Sequence, residues 1–178
     1  MNQIKGTTIL AVKRNGKTVI IGDGQATVSE HVVIKAHSHK VKRIYNGKVV
    51  IGFAGGTADA FYMFEELEKM LNKYSGSLLR STVEFAREIR KGHVGRNMEA
   101  MIIVADENNL LMLTSVGDVL EPEDGVCAIG SGGNFALSAA KALLNNTDMD
   151  AKEIAVQSME IASDLCVYTN KNFVIEEV

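Results

Sequence analysis

Thr7 follows Gly6 and opens the run Thr7-Thr8-Ile9-Leu10-Ala11-Val12, so a polar, flexible beginning, Met1-Asn2-Gln3-Ile4-Lys5-Gly6, passes directly into an apolar, β-branched strand. Scission of the Gly6–Thr7 bond gives Thr7 a free α-amino group. One residue then holds both a hydroxyl nucleophile and a base. A threonine hydroxyl is a weak nucleophile until its proton is removed, and an N-terminal amine is one recognised activator. With a pKa of about 7.7–8.0, that amine accepts a proton near neutral pH. By itself, Thr-Thr before a strand is a weak signal, and an ordinary buried first strand is the simpler account.

Other residues with chemical potential cluster in four places. Asp23, in Gly22-Asp23-Gly24-Gln25, ends the strand that returns from an Asn15-Gly16 hairpin, so it lies beside the strand begun at Thr7. Alone it marks a tight turn; paired, its carboxylate reaches the base of the first strand. Between His31 and Arg43 stand Lys35, His37, His39, Lys40, Lys42 and Arg43. A phosphate patch needs more charge and more aromatic partners than Tyr45 supplies. His37-x-His39 lacks a carboxylate or cysteine at ligand spacing, so a solvated strand face is the plainer reading. Val41 and Ile44 give that strand a buried side, which turns at least one lysine inward. The stretch Gly52-Phe53-Ala54-Gly55-Gly56-Thr57 allows close backbone approach and leaves N–H groups as donors. Finally, Ser131-Gly132-Gly133 precedes a helix, a setting suited to anions. The dinucleotide pattern fails at Phe135, the P-loop lacks Lys-Ser/Thr, and Ile129 replaces the first glycine of a nucleophile elbow. Ser131 thus reads as a helper near a site.

The elements that must hold these groups follow from periodicity and turn chemistry. Strands are expected over Thr8–Arg14 and Lys17–Gly22, and a second Asn-Gly hairpin at 46–47 leads into Lys48–Ala54. Ala60, Met63, Phe64, Leu67, Met70 and Leu71 have helical spacing; Leu79, Val83, Ala86 and Ile89 predict a second helix ending near Arg90. Strands resume at Ala100–Asp106, Leu110–Thr114 and Val126–Gly130. A helix from Asn134 to about Asn145 precedes another opened by an Asp150/Glu153 capping box, with Ile154, Ala155, Ser158, Ile161, Ala162, Leu165 and Cys166 on its apolar side. A last strand falls at 173–175. This order does not alternate as a parallel α/β fold does, and two antiparallel sheets covered by two helical layers fit it better.

Composition sets the outer limits. The 178 residues suit one domain; 46 % hydrophobic and 23 % charged residues are ordinary for a globular chain. A formal charge of −3 speaks against general nucleic-acid binding. No apolar run approaches the ~18 residues of a membrane span, and no secretory core is visible near Met1. A cytoplasmic protein is expected, with Cys127 and Cys166 as buried thiols.

Taken together, T-T-I at 7–9, G-D-G-Q at 22–25, G-F-A-G-G-T-A-D-A at 52–60, I-G-S-G-G at 129–133 and Y-T-N at 168–170 resemble the HslV (ClpQ) family of proteasome-like peptidases from Thr7 to Glu177. The resemblance implies an α+β four-layer αββα sandwich of the N-terminal nucleophile hydrolase type. It also implies two stacked hexameric rings, and a hexameric AAA+ partner, HslU, that feeds unfolded protein using ATP. Residues 1–6 correspond to a propeptide and 7–178 to the single peptidase domain. Thr7 matches the nucleophile. Lys40 matches the active-site lysine when one residue is inserted after Thr27; without that gap the slot falls on His39, and K-V-K-R at 40–43 favours Lys40. A cation there favours the neutral Thr7 amine. Asp23 matches the residue that holds the lysine, Ser131 one that helps shuttle the proton, and Gly52 the backbone donor to the oxyanion. Backbone oxygens at Ser163, Cys166 and Thr169 match a monovalent-cation site, sodium in the family, with Ser163 where glycine is usual. The segment 89–96 lacks the family's tryptophan. Two other readings compete with a threonine endopeptidase: an N-terminal nucleophile hydrolase of small amides, and a non-catalytic ring scaffold whose leader stays attached.

Overall fold

The computed structural model of the chain describes residues 4–28, 32–92 and 98–178, so residues 93–96 of the divergent 89–96 segment lie outside the described residues. A first hairpin joins β2 (Thr8–Arg14) to β3 (Lys17–Gly22), with Arg14 opposite Lys17. Asn15 and Gly16 form its turn at φ 54° and 79°, the left-handed pair that a two-residue hairpin requires. Val126–Gly130 (β11) pairs with the outer side of β2 and Val174–Glu177 (β12) with that of β3, completing a four-stranded antiparallel sheet. A five-stranded sheet is built from β6 (Val41–Ile44), β7 (Val49–Gly55), β8 (Ala100–Ala105), β9 (Leu110–Leu113) and β10 (Val119–Leu120). β7 lies between β6 and β8.

Alternation along the strands explains the layering. Ile9 and Ala11 of β2 and Ile20 of β3 point with Val50 and Ile103 into a core between the two sheets. Leu10, Val12 and Ile21 point the other way, onto α3 (Gly133–Asn146) and α4 (Ala151–Leu165). The outer face of the five-stranded sheet carries Ile51, Ile102 and Val104 against α1 (Thr57–Lys73) and α2 (Leu78–Arg90). Strands covered on both faces must be apolar throughout, and Ile9 to Val12 are fully buried. The result is the expected order of layers, helix, sheet, sheet, helix. Among the described residues no helix is long and apolar enough to cross a membrane.

Several local expectations give way to tertiary context. The basic stretch before Arg43 does not form one strand. β5 (Val32–Lys35) is exposed at every position and joins β1 (Ile4–Lys5) and β4 (Ala26–Val28) in a separate three-stranded sheet, order β1-β4-β5. The chain then bends, with Ser38 N–H on Gly24 O at 2.8 Å, before β6 begins. The second Asn-Gly turn is a four-residue loop, because Ile44 pairs with Val49 and Tyr45, Asn46 and Gly47 all take positive φ. In α2 the buried side is Leu78, Ser81, Thr82, Phe85 and Ala86, while Leu79 is 48 % exposed. Thr82 tolerates burial because its hydroxyl donates to Leu78 O within the helix, 2.9 Å. In α4, Met159 replaces Ile161 and Leu165 on the buried face. The Asp150/Glu153 capping box is formed in both directions.

Gly52 sits in the middle of β7 beneath the facing sheet. A β-carbon there would stand 2.8 Å from Ile9 Cγ2 and 3.2 Å from Ile20 Cγ2. Gly52→Ala should therefore force the two sheets apart and lower stability by about 1–3 kcal/mol, measured as a shift in the urea midpoint with an unchanged slope.

Candidate active site

The geometry is clearest at Asp23, which is fully buried at the end of β3. The loop that follows wraps its carboxylate. Oδ1 accepts from the Thr8 N–H (2.8 Å) and from Lys40 Nζ (3.1 Å), and Oδ2 from the N–H groups of Gln25 (2.9 Å) and Asn170 (3.4 Å). Asp23 N–H returns to Thr8 O at 3.1 Å. β2 and β3 are thereby locked at the end where Thr7 enters.

Lys40 immediately precedes β6 and is only 3 % exposed. An ammonium has three protons to place. They go to Asp23 Oδ1, to Gly6 O at 2.7 Å and to Gln25 O. Burial lowers the Lys40 pKa, and its effect outweighs the opposing pull of the Asp23 carboxylate. His39, the alternative for this slot, is exposed, as is His37.

Thr7 is 7 % exposed and lies at the junction of these groups. Its hydroxyl donates to Gly6 O at 2.7 Å, the same carbonyl that receives Lys40. Ser131, at the turn into α3, holds the Thr7 backbone through its N–H, 2.8 Å from Thr7 O, and its exposed side chain borders the cavity in front. Gly52 lies elsewhere. Phe53 N–H faces β6, reaching Lys40 O at 3.1 Å, so by alternation the Gly52 N–H faces β8, opposite Ile103. Gly52 is thus a ladder residue and does not border either cavity at Thr7. Gly55 does. Gly56 N–H faces β8, on Glu99 O at 3.1 Å, which leaves the Gly55 N–H on the β6 side, past the end of β6. At φ 113°, with Glu99 O only 1.9 Å from where a β-carbon would stand, position 55 admits glycine alone. The available signal was a strand ending in two glycines, counted in steps of two.

Two cavities meet at Thr7. One, of about 700 Å³, runs past Gly55, Thr57, Met101 and Ser131. The other, of about 200 Å³, lies between Ala26, Phe53 and Phe61, with Lys35 and His39 at its rim. No group of three His, Cys, Asp or Glu side chains able to hold a metal occurs among the described residues. Burial pushes the Cys127 thiol up to about 12, which leaves it protonated and unreactive near neutral pH.

Ser163, Cys166 and Thr169 fall where α4 runs out. Carbonyls in a helix's last turn lack intrahelical partners and face the negative end of the dipole, a donor set that suits a monovalent cation. Ser163 has ordinary helical backbone within α4, so no glycine is needed there. Cys166 O already accepts the Thr169 N–H at 3.0 Å and keeps a second lone pair. Thr169 also reaches the site itself. Its hydroxyl lies 2.7 Å from Thr8 Oγ1, which accepts the Gly132 N–H at 2.9 Å.

A family model described as proteasome subunit matches residues 4–178. The ATP-dependent protease subunit HslV of a Sulfurihydrogenibium species is 53 % identical over 178 residues, all of this chain and 99 % of the relative. The crystal structure of eukaryotic HslV from Trypanosoma brucei superposes with a TM-score of 0.90 at 42 % identity, covering 96 % of this chain and 98 % of that one. Thiobacillus denitrificans BPH in complex with epoxomicin shares the fold, with a TM-score of 0.71 at 16 % identity over 96 % and 97 % of the two chains.

The lowered Lys40 value carries a pH consequence. The folded chain gives up this proton at lower pH than the unfolded chain, so between the folded value and 10.5 the unfolded state binds more protons. Stability then rises with pH across that interval. Urea titrations at alkaline pH should show this rising contribution, and Lys40→Met should remove it.

Proposed function

The chain belongs to the proteasome-subunit family as a threonine peptidase subunit of the HslV type, and from that premise we propose that Thr7 is its nucleophile, uncovered by scission of the Gly6–Thr7 bond. One observation carries this reading. The Gly6 carbonyl receives both the Thr7 hydroxyl and the buried Lys40 ammonium at 2.7 Å, so the bond to be cut is polarised where the nucleophile lies.

Scission follows from that contact. Thr7 Oγ1 bonds to the Gly6 carbonyl carbon, the C–N bond breaks, and the proton lost by the hydroxyl ends on the Thr7 nitrogen. Water then hydrolyses the ester, releasing residues 1–6 and leaving a free α-amine. In the mature subunit this amine takes the hydroxyl proton as Thr7 attacks a substrate carbonyl. Lys40, freed of Gly6 O, turns its third proton toward Thr7 and disfavours a second positive charge on the amine. Asp23 keeps the ammonium in place. Ser131 fixes the Thr7 backbone and offers its hydroxyl to the proton's path. The Gly55 N–H, in place of Gly52, donates to the developing oxyanion, a contribution worth about 10²- to 10³-fold in rate. The acyl-enzyme is then hydrolysed by water.

Cavities on both sides of Thr7 suit an extended polypeptide better than a small amide, which supports an endopeptidase acting on unfolded chains. The family resemblance supports two stacked hexameric rings of this subunit, the ATPase HslU as its partner, and a cytoplasmic setting. Backbone oxygens of Ser163, Cys166 and Thr169 would hold a sodium ion. Such an ion supplies positive charge at the end of α4, and Thr169 passes the order of that loop to Thr8.

Intact-mass measurement of active particles should give a chain beginning at Thr7. Thr7→Ala should retain residues 1–6 and lose roughly 10⁴-fold or more of peptide hydrolysis. Full activity from a chain with its leader attached would refute this mechanism, and assembled rings that keep the leader and hydrolyse no peptide would return the ring-scaffold alternative.

A further inference from the structure

Gln25 touches both members of the buried ion pair with its main chain. Its carbonyl accepts from Lys40 Nζ, and its N–H donates to Asp23 Oδ2 at 2.9 Å. The side chain, 6 % exposed, points away from the reaction and is tied at its far end. Nε2 donates to Val167 O at 2.9 Å and to Thr27 Oγ1 at 3.1 Å. Val167 belongs to the loop between α4 and β12. That loop reaches back from its other end through Asn170, whose Oδ1 accepts the Gly24 N–H at 3.1 Å and whose Nδ2 donates to Ala36 O at 2.9 Å. The turn carrying Asp23 is therefore clamped from both sides by one loop.

We propose that Gln25 is a positioning residue for the reaction at Thr7, its amide anchored on Val167 O so that the Gln25 carbonyl holds the Lys40 ammonium in register with the nucleophile. Four rotatable bonds separate the ammonium from the backbone, and cleavage of the leader removes Gly6 O from its three acceptors. In the mature subunit two contacts remain, Asp23 Oδ1 and Gln25 O, and Asp23 is itself bonded to the Gln25 N–H. Losing the anchor loosens both. Displacement of a catalytic group by about 1 Å costs up to 10²-fold in rate. A buried amide needs partners in any case, so a purely architectural role must be told apart by how the reaction titrates. The charged groups facing Lys40 are Asp23 in contact, Lys35 and His39 across the small cavity, and the Thr7 amine after scission. As the ammonium drifts from that amine, the amine holds its proton to higher pH.

The test uses assembled particles with their ATPase and a fluorogenic peptide. Gln25→Met keeps the volume and removes the donor; Gln25→Glu keeps size and polarity but presents an acceptor to Val167 O. Both should lower kcat by about tenfold with KM within twofold, and move the acid limb of the pH–rate profile upward by roughly half a unit or more. Wild-type kcat with an unmoved limb overturns the proposal. So does a loss of rate without a shift of the limb, or failure of both variants to assemble, since each assigns Gln25 to architecture alone. The inference rests on Thr7 as nucleophile, and Thr7→Ala separates the two: an active Thr7→Ala particle refutes that reading, whereas an inert one beside an unaltered Gln25→Met refutes only this one.

Discussion

The contact between the Lys40 ammonium and the Asp23 carboxylate is the constraint around which the remaining groups are arranged. Both are almost wholly buried, 3.1 Å apart. Removing two ions from water costs several kcal/mol each, and mutual attraction offsets this only when the remaining protons and lone pairs are also satisfied. Here every proton of the ammonium has an acceptor, and the carboxylate takes three N–H groups besides. Such a pair is a poor source of net stability but a strict specification of geometry. The strand carrying Thr7, the loop after β3, the approach to β6 and the loop after α4 must all be in place before it is tolerated.

The sandwich provides that precision through close packing. Gly52 lets the two sheets approach at Ile9 and Ile20, and Ile9 stands two residues beyond Thr7. Gly55 lets β7 end against Glu99 with its N–H turned into the cleft. One glycine sits in the packing between the sheets and the other borders the cleft at Thr7, though they stand three residues apart on one strand. Desolvation in this setting also lowers the lysine's pKa, against the opposing pull of Asp23.

Much of the fold was legible from residue patterns because the signals were local. Asn15-Gly16 demanded left-handed backbone, the helical spacing from Ala60 to Leu71 demanded a buried face, and Asp150 with Glu153 demanded a cap; each is met by short-range interactions. Elements without such signals are not announced by residue type. β5 has no buried face, so no alternation announces it. The buried side of α2 includes Ser81 and Thr82, polar residues that helical spacing of apolar positions passes over. Residue type does not reveal which way a strand's N–H groups point, so the expectation at Gly52 carried no sign that its N–H lies in the ladder with β8.

By itself, the amino-acid order determined the succession of strands and helices, the opposition of two antiparallel sheets, and the presence of a threonine, a carboxylate and a lysine suited to one another. These depend on periodicity, turn chemistry and side-chain type, all of which are properties of neighbours along the chain. Only the folded molecule decided that Lys40 and not His39 faces inward, that Gly55 and not Gly52 borders the cleft, and that Gln25 and Asn170 join the loop after α4 to the ion pair. Those choices rest on contacts between segments up to 147 positions apart, where the direction of a bond is set by packing that no single stretch of sequence contains.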